Sequence, residues 1–150
     1  MNEIKLHKRK LYLVVALLCL LSIIVGACTK ANQDATNLED KTWVLESYGK
    51  QGSLQLVLEE TEITAIFDST EKRVHGSSGC NSYGGAYKID GGTLSISEVF
   101  YTEMACLEPE GIMEQEDKYL RAIIEAESYN ISDSKLTIIA GSQVLIYSTE

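Results

Sequence analysis

The side chains best suited to covalent or metal chemistry are few: Cys80, Cys106 and His75 in the body of the chain, and Cys28 near its start. A thiol beside an imidazole can act as a nucleophile, two thiols can close a disulfide, and thiols with an imidazole can hold zinc. Spacing weakens two of these. His75 and Cys80 are five residues apart, an offset that on a strand puts them on opposite faces, so they meet only through a turn. Nothing argues for the orienting residue and oxyanion hole that a thiol protease needs. There is no CxxC or HxxxH pair, and the acidic residues fall in no EF-hand register, so no metal and no cofactor is expected. Val74 to Tyr87 (VHGSSGCNSYGGAY) is rich in glycine but lacks the Gly-Lys-Ser/Thr ending of a phosphate loop and any GxGxxG turn into a helix. It reads as a tight turn or bulged strand pair, pinned by Cys80 and by local hydrogen bonds of Asn81.

The remaining cysteines sort by position. Cys19 lies in an apolar run, Leu11 to Val25, that follows a basic start carrying Lys5, Lys8, Arg9 and Lys10. Fifteen residues make roughly 22 Å of helix, short of a ~30 Å hydrocarbon core, and with the basic flank they read as an export signal. Val25-Gly26-Ala27-Cys28 ends the run with two small residues before a cysteine. This resembles the lipobox of bacterial lipoproteins, which implies cleavage before Cys28 and acylation of its thiol. The expected organisation is a signal peptide over 1–27, a flexible polar tether over 28–40 and a folded domain over 41–150. Cys80 and Cys106 remain as an even pair in an exported chain, which a single disulfide requires. Two buried free thiols, or a catalytic Cys80 with His75, stay open as alternatives.

These residues must be positioned by a domain of ordinary size. The chain has 150 residues, 45% apolar and 23% charged, enough for one well-cored domain. The formal charge of −9 hides a division: residues 1–27 carry a net of +3, and the rest, with 9 basic and 21 acidic residues, a net of −12. Such a surface repels phosphate backbones, so no nucleic-acid partner is expected. It also gives no attraction to anionic headgroups, which leaves acylated Cys28 as the link to membrane lipid.

Short runs of β-formers dominate the domain: Thr42–Tyr48, Leu54–Glu59, Glu62–Asp68, Arg73–His75, Ala86–Ile89, Thr93–Ser97, Ser128–Ile131, Lys135–Ala140 and Gln143–Tyr147. Asp90-Gly91-Gly92 and Gly141-Ser142 read as tight hairpin turns. One amphipathic helix is expected between Pro109 and Glu127, with Pro109 in its first turn. Its inward stripe would hold Ile112, Met113, Tyr119, Leu120, Ile123 and Ile124, with Glu116, Asp117, Lys118, Glu125 and Glu127 outward. The class is α+β: a mostly antiparallel sheet of about eight strands, curled into a partial barrel, with one packed helix. Cys106, just before the helix, would clip its start to the sheet if bonded to Cys80.

In order along the chain, Thr42-Trp43-Val44-Leu45, Gly79-Cys80-Asn81-Ser82-Tyr83 with Gly85 and Tyr87, Thr102-Glu103-Met104-Ala105-Cys106, and Glu114 or Glu116 with Tyr119 and Leu120 resemble the motifs of the META domain, the HslJ-like (DUF306) lipoprotein family. The resemblance covers about residues 40–148. It implies a compact barrel-like sheet with one helix, and a non-enzymatic, lipid-anchored cell-envelope protein linked to heat shock and stress, binding a small molecule or protein partner. A protein-interaction or inhibitor module acting through an exposed loop is the alternative, with the segment after Asp68 or the Cys80 turn as the loop and Tyr83 and Tyr87 as the nearest aromatic candidates. A thiol enzyme using Cys80 is the remote one.

Overall fold

The computed structural model describes residues 37–149. The expected signal segment, Cys28 as the expected acylation site, and most of the expected tether lie outside the described residues. Nine strands and one helix follow in order: β1 (Thr42–Lys50), β2 (Ser53–Leu56), β3 (Thr64–Asp68), β4 (Arg73–Ser77), β5 (Ser82–Asp90), β6 (Thr93–Tyr101), α1 (Ile112–Ile124), β7 (Ala126–Ser132), β8 (Lys135–Ala140) and β9 (Gln143–Thr149).

All pairings are antiparallel, and β1 also pairs with β9, so the sheet closes into an eight-stranded barrel with β2 as a side strand on β1. The partial barrel expected from sequence is thus a complete one. Closure removes the sheet edges that an open meander would leave unpaired. One junction is thin: β6 and β7 meet at a single register pair, Thr93 with Ser128. Beyond it the chain leaves β6, makes α1 and returns as β7.

Local chemistry explains the turns. Gly91-Gly92 links Asp90 to Thr93, with Gly91 at φ 58°, and Gly141-Ser142 links Ala140 to Gln143. Gly76 answers to packing rather than to a turn, because a Cβ there would sit 2.1 Å from the Thr64 carbonyl oxygen on β3.

Alternate strand positions fill the barrel. Trp43, Phe67, Val74, Leu94, Leu136, Ile138, Leu145 and Tyr147 are fully buried. Tyr119 of α1 enters the same core. Its hydroxyl lies 2.6 Å from that of Tyr83 and accepts a bond from Tyr147 at 3.3 Å, while Tyr83 donates to the Thr64 carbonyl at 3.0 Å. Burial holds all three phenols neutral, well above their ordinary pKa. Tyr83 and Tyr87 are therefore core residues, not the exposed aromatics that an interaction loop would need, because the strand alternation turns both inward.

The domain starts before residue 41. Leu38 is buried, its carbonyl accepts the Trp43 indole N–H at 2.8 Å, and Asp40 N–H donates to the Phe67 carbonyl. Residues 37–40, read from sequence as the end of the tether, belong to the barrel.

Candidate functional site

The registers define two ends of the barrel. Near one lie residues 37–41, the β3–β4, β5–β6 and β7–β8 turns and Thr149; near the other lie the β1–β2, β4–β5 and β8–β9 turns and the end of β6. Helix α1 is bonded to turns at the second end, and the sequence motifs converge there.

Glu116 organises this end. Periodicity with charge put it on the outer face of the helix, yet it is only 4% exposed. One carboxylate oxygen accepts the Ser78 hydroxyl at 2.6 Å and the Asn81 N–H at 2.7 Å; the other accepts the Asn81 amide at 2.7 Å. Asn81 then reaches the connection after β6: its oxygen accepts from Thr102 Oγ1 and Met104 N–H, both at 2.7 Å, and its amide donates to the Met104 carbonyl at 3.1 Å. A buried carboxylate is tolerated when hydrogen bonds replace its water shell, and here three do so. Gln115, one residue earlier, accepts the Leu58 N–H at 2.8 Å and donates to Thr61 at 3.0 Å, fastening the helix to the β2–β3 connection.

The disulfide completes the clamp. Cys80 and Cys106 are bonded, with Cα atoms 5.9 Å apart, and tie the β4–β5 turn to the segment before α1. Neither sulfur is a thiol in this state, and His75 lies exposed on β4.

The helix itself departs from expectation in three ways. Gly111, at φ 89°, stands before its first turn and Pro109 lies outside it. The inward stripe runs Ile112, Gln115, Glu116, Tyr119, Leu120, Ala122 and Ile123. Met113 and Ile124, expected inside, are exposed, because admitting Gln115 and Glu116 rotates the buried face away from them.

Between Phe100 and Met113 the surface is unusually apolar. Phe100, Tyr101, Met104, Leu107 and Met113 are all exposed, Leu107 at 87%. Phe100 lies over Gly84, where a Cβ would come within 2.8 Å of its ring, and the Arg73 guanidinium sits 5.4 Å from the ring centre. The Cys106 N–H donates to the Met113 sulfur at 3.4 Å. Of the other motif positions, Trp43 and Gly85 are in the barrel wall, while Gly79 at φ 113° forms the β4–β5 turn; Thr102, Met104 and Ala105 line the outer connection. Sequence reasoning placed the interaction loop elsewhere; the run of large apolar residues around Tyr101–Cys106 was the available signal.

A closed antiparallel barrel carrying one helix across an end, with a buried acid, an asparagine and a disulfide clamping the connection into that helix, defines a small β-barrel scaffold class. Within it the chain belongs to the META domain family, whose model matches residues 36–150. Among solved structures it is similar to a protein from Burkholderia xenovorans determined by NMR, at 25% identity and TM-score 0.64, over 83% of this chain and 96% of that one. A second NMR structure matches at 23% identity and TM-score 0.58, over 74% and 90% of the two chains. A DUF4847 family protein from Bacteroides vulgatus shares the fold at 11% identity and TM-score 0.52, over 74% and 93%. No curated protein matches. Glu116, not Glu114, is the acid that matters in the helix motif: Glu114 is exposed and pairs with Lys118 at 2.9 Å.

Proposed function

We propose that this protein is a non-enzymatic, lipid-anchored envelope protein, exported and tethered through Cys28, that uses its META domain to bind a protein partner through the connection between β6 and α1. One observation carries this reading: five large apolar side chains stand in solvent on a segment held by a disulfide and by Asn81. Exposed apolar patches on a soluble face mark interaction sites, and rigid presentation lowers the ordering cost of binding. The described chain begins at the opposite end of the barrel from this connection.

A small hydrophobic ligand inside the barrel is less well supported, since the inward residues of the strands are buried, eight of the largest of them completely. The oxidised Cys80 argues in the same direction against a thiol enzyme.

Mass spectrometry of the native protein extracted from membranes tests the anchor: loss of residues 1–27 and acyl mass on Cys28 are expected, and an unprocessed, unacylated chain overturns it. A photo-crosslinking residue at Leu107, with Asn130 at the other end as control, tests the surface. A discrete adduct from position 107 alone, abolished by Met104→Asp, is expected; equal labelling from both positions, or none, removes the proposed surface.

A further inference from the structure

β2 is the exception to the closure of the barrel, and it borders a groove. It pairs with β1 alone. Lys50 and Ser53 flank the two-residue hairpin turn as a hydrogen-bonded pair, and so, by alternation, do Tyr48 and Gln55; the N–H and C=O groups of Leu54 and Leu56 therefore point away from β1. None of them joins another backbone group among the described residues outside that ladder. The strand carries no proline, no charge and no bulge, the usual devices that blunt an edge. Leu54 and Leu56 are exposed.

The groove runs between β2 and α1. Its larger part, about 370 Å³, is lined by Tyr48, Ser53 and Gln55 on one side and by Lys118, Arg121 and Glu125 on the other. A smaller part of about 170 Å³ continues past Leu56 and Leu58 to Gly111, sharing Tyr48, Gln55 and Lys118. Gln55 and Leu56 both line it, although consecutive strand residues face opposite ways, so the groove meets the rim of β2 rather than one face. From Gly111 to Glu125 the helix is about 20 Å long, room for roughly six extended residues.

Charge selects the occupant. Lys50, Lys118 and Arg121, three of the nine basic residues that follow Cys28, line this one groove of a domain whose net charge is −12. Glu114, which lines the smaller part, takes one Lys118 donor and Asp117 takes the Arg121 Nε–H. With Glu125 in the larger part the lining holds three cations and two carboxylates, and the remaining ammonium donors and terminal guanidinium amines are left for a ligand. Screening over about 8 Å at physiological salt makes a ligand in the groove respond to these lining charges more than to the distant acidic surface.

We propose that the β2–α1 groove binds an extended acidic peptide segment of a partner protein, which adds to β2 as a further strand and points alternate carboxylates at Lys50, Lys118 and Arg121. Main-chain bonds to Leu54 and Leu56 supply affinity in this mode, and the cations supply selectivity. This groove shares no lining residue with the five exposed apolar side chains between Phe100 and Met113, so either surface can fail without the other.

The test uses the full chain, isotopically labelled, in detergent micelles, with an acetylated and amidated hexapeptide alternating valine and glutamate as the probe. Saturating peptide should slow exchange of the Leu54 and Leu56 amides about tenfold or more, the protection expected of a new strand pair. Lys50→Glu, outside the helix, and Lys118→Glu should each weaken binding about tenfold, as loss of a charge-assisted contact does. The proposal is overturned if the two amides keep their free exchange rate, if free glutamate gives the same protection (a small-anion site), if a control hexapeptide alternating valine and lysine binds as well, or if the protection depends on protein concentration without peptide (pairing of two copies).

Discussion

The two ends of the barrel use a carboxylate differently. At the end where the described chain begins, Glu39 sits at the surface, pairs with Lys72 at 2.7 Å and accepts the Tyr87 hydroxyl, while Asp40 accepts from Ser69. At the other end Glu116 is buried and bonded to neutral donors alone. The first arrangement trims a plug that Leu38 and Trp43 already make; water can replace most of it. The second joins α1, the β4–β5 turn and the β6–α1 connection in one buried bond network, alongside the Cys80–Cys106 disulfide. An exposed ion pair is thus an accessory, and a desolvated carboxylate with three donors is a structural centre.

Four variants, the last with a companion at Tyr87, probe that contrast in falling order of effect. Glu116→Ala strips the acceptor from three buried donors and should destabilise the domain by about 4 kcal/mol in urea unfolding; a loss below about 1 kcal/mol would erase the distinction between the ends. Replacing both Cys80 and Cys106 by serine reopens the loop they close, a separation of 26 residues, and should cost about 3 kcal/mol. Amide exchange should accelerate in residues 102–111 and not at Gly91-Gly92. Asn81→Asp sets a second carboxylate against Glu116 and should cost about 2 kcal/mol at neutral pH. Glu39→Gln comes last, at about 0.5 kcal/mol, the scale of an exposed pair. The Lys72 ammonium and then the Tyr87 hydroxyl hold the Glu39 carboxyl below its ordinary pKa. A depressed folded-state value means this contribution is present at neutral pH and is lost as pH falls through the carboxylate range, so parent and variant stabilities should converge in acid. Tyr87→Phe should reproduce part of that change.

The same contrast explains what could be read in advance. Strand positions, the Gly91-Gly92 and Gly141-Ser142 turns and the Cys80–Cys106 pairing follow from alternation, turn chemistry and an even thiol count, all of which act locally or by elimination. Closure of the barrel does not, since β1 meets β9 across most of the chain. Glu116 defeated the reading for a related reason. Helical periodicity assigns a carboxylate outward unless its donors are known, and those donors lie more than thirty residues away on another turn. Treating it as outward shifted the inferred stripe toward Met113 and Ile124, two side chains that the structure leaves in solvent. The exposed tyrosines failed in the opposite sense: Tyr83 and Tyr87 look like surface aromatics in a glycine-rich stretch, but that stretch is barrel wall.

The thin contact between β6 and β7 gives this cylinder a preferred line of failure. With one ladder rung there, beside the bond from Tyr129 N–H to the Gly92 carbonyl, thermal excursions should open the wall along that line first, while the other seven junctions and the Glu116 bonds that fasten the helix hold. A force applied across the wall would meet least resistance at the same place.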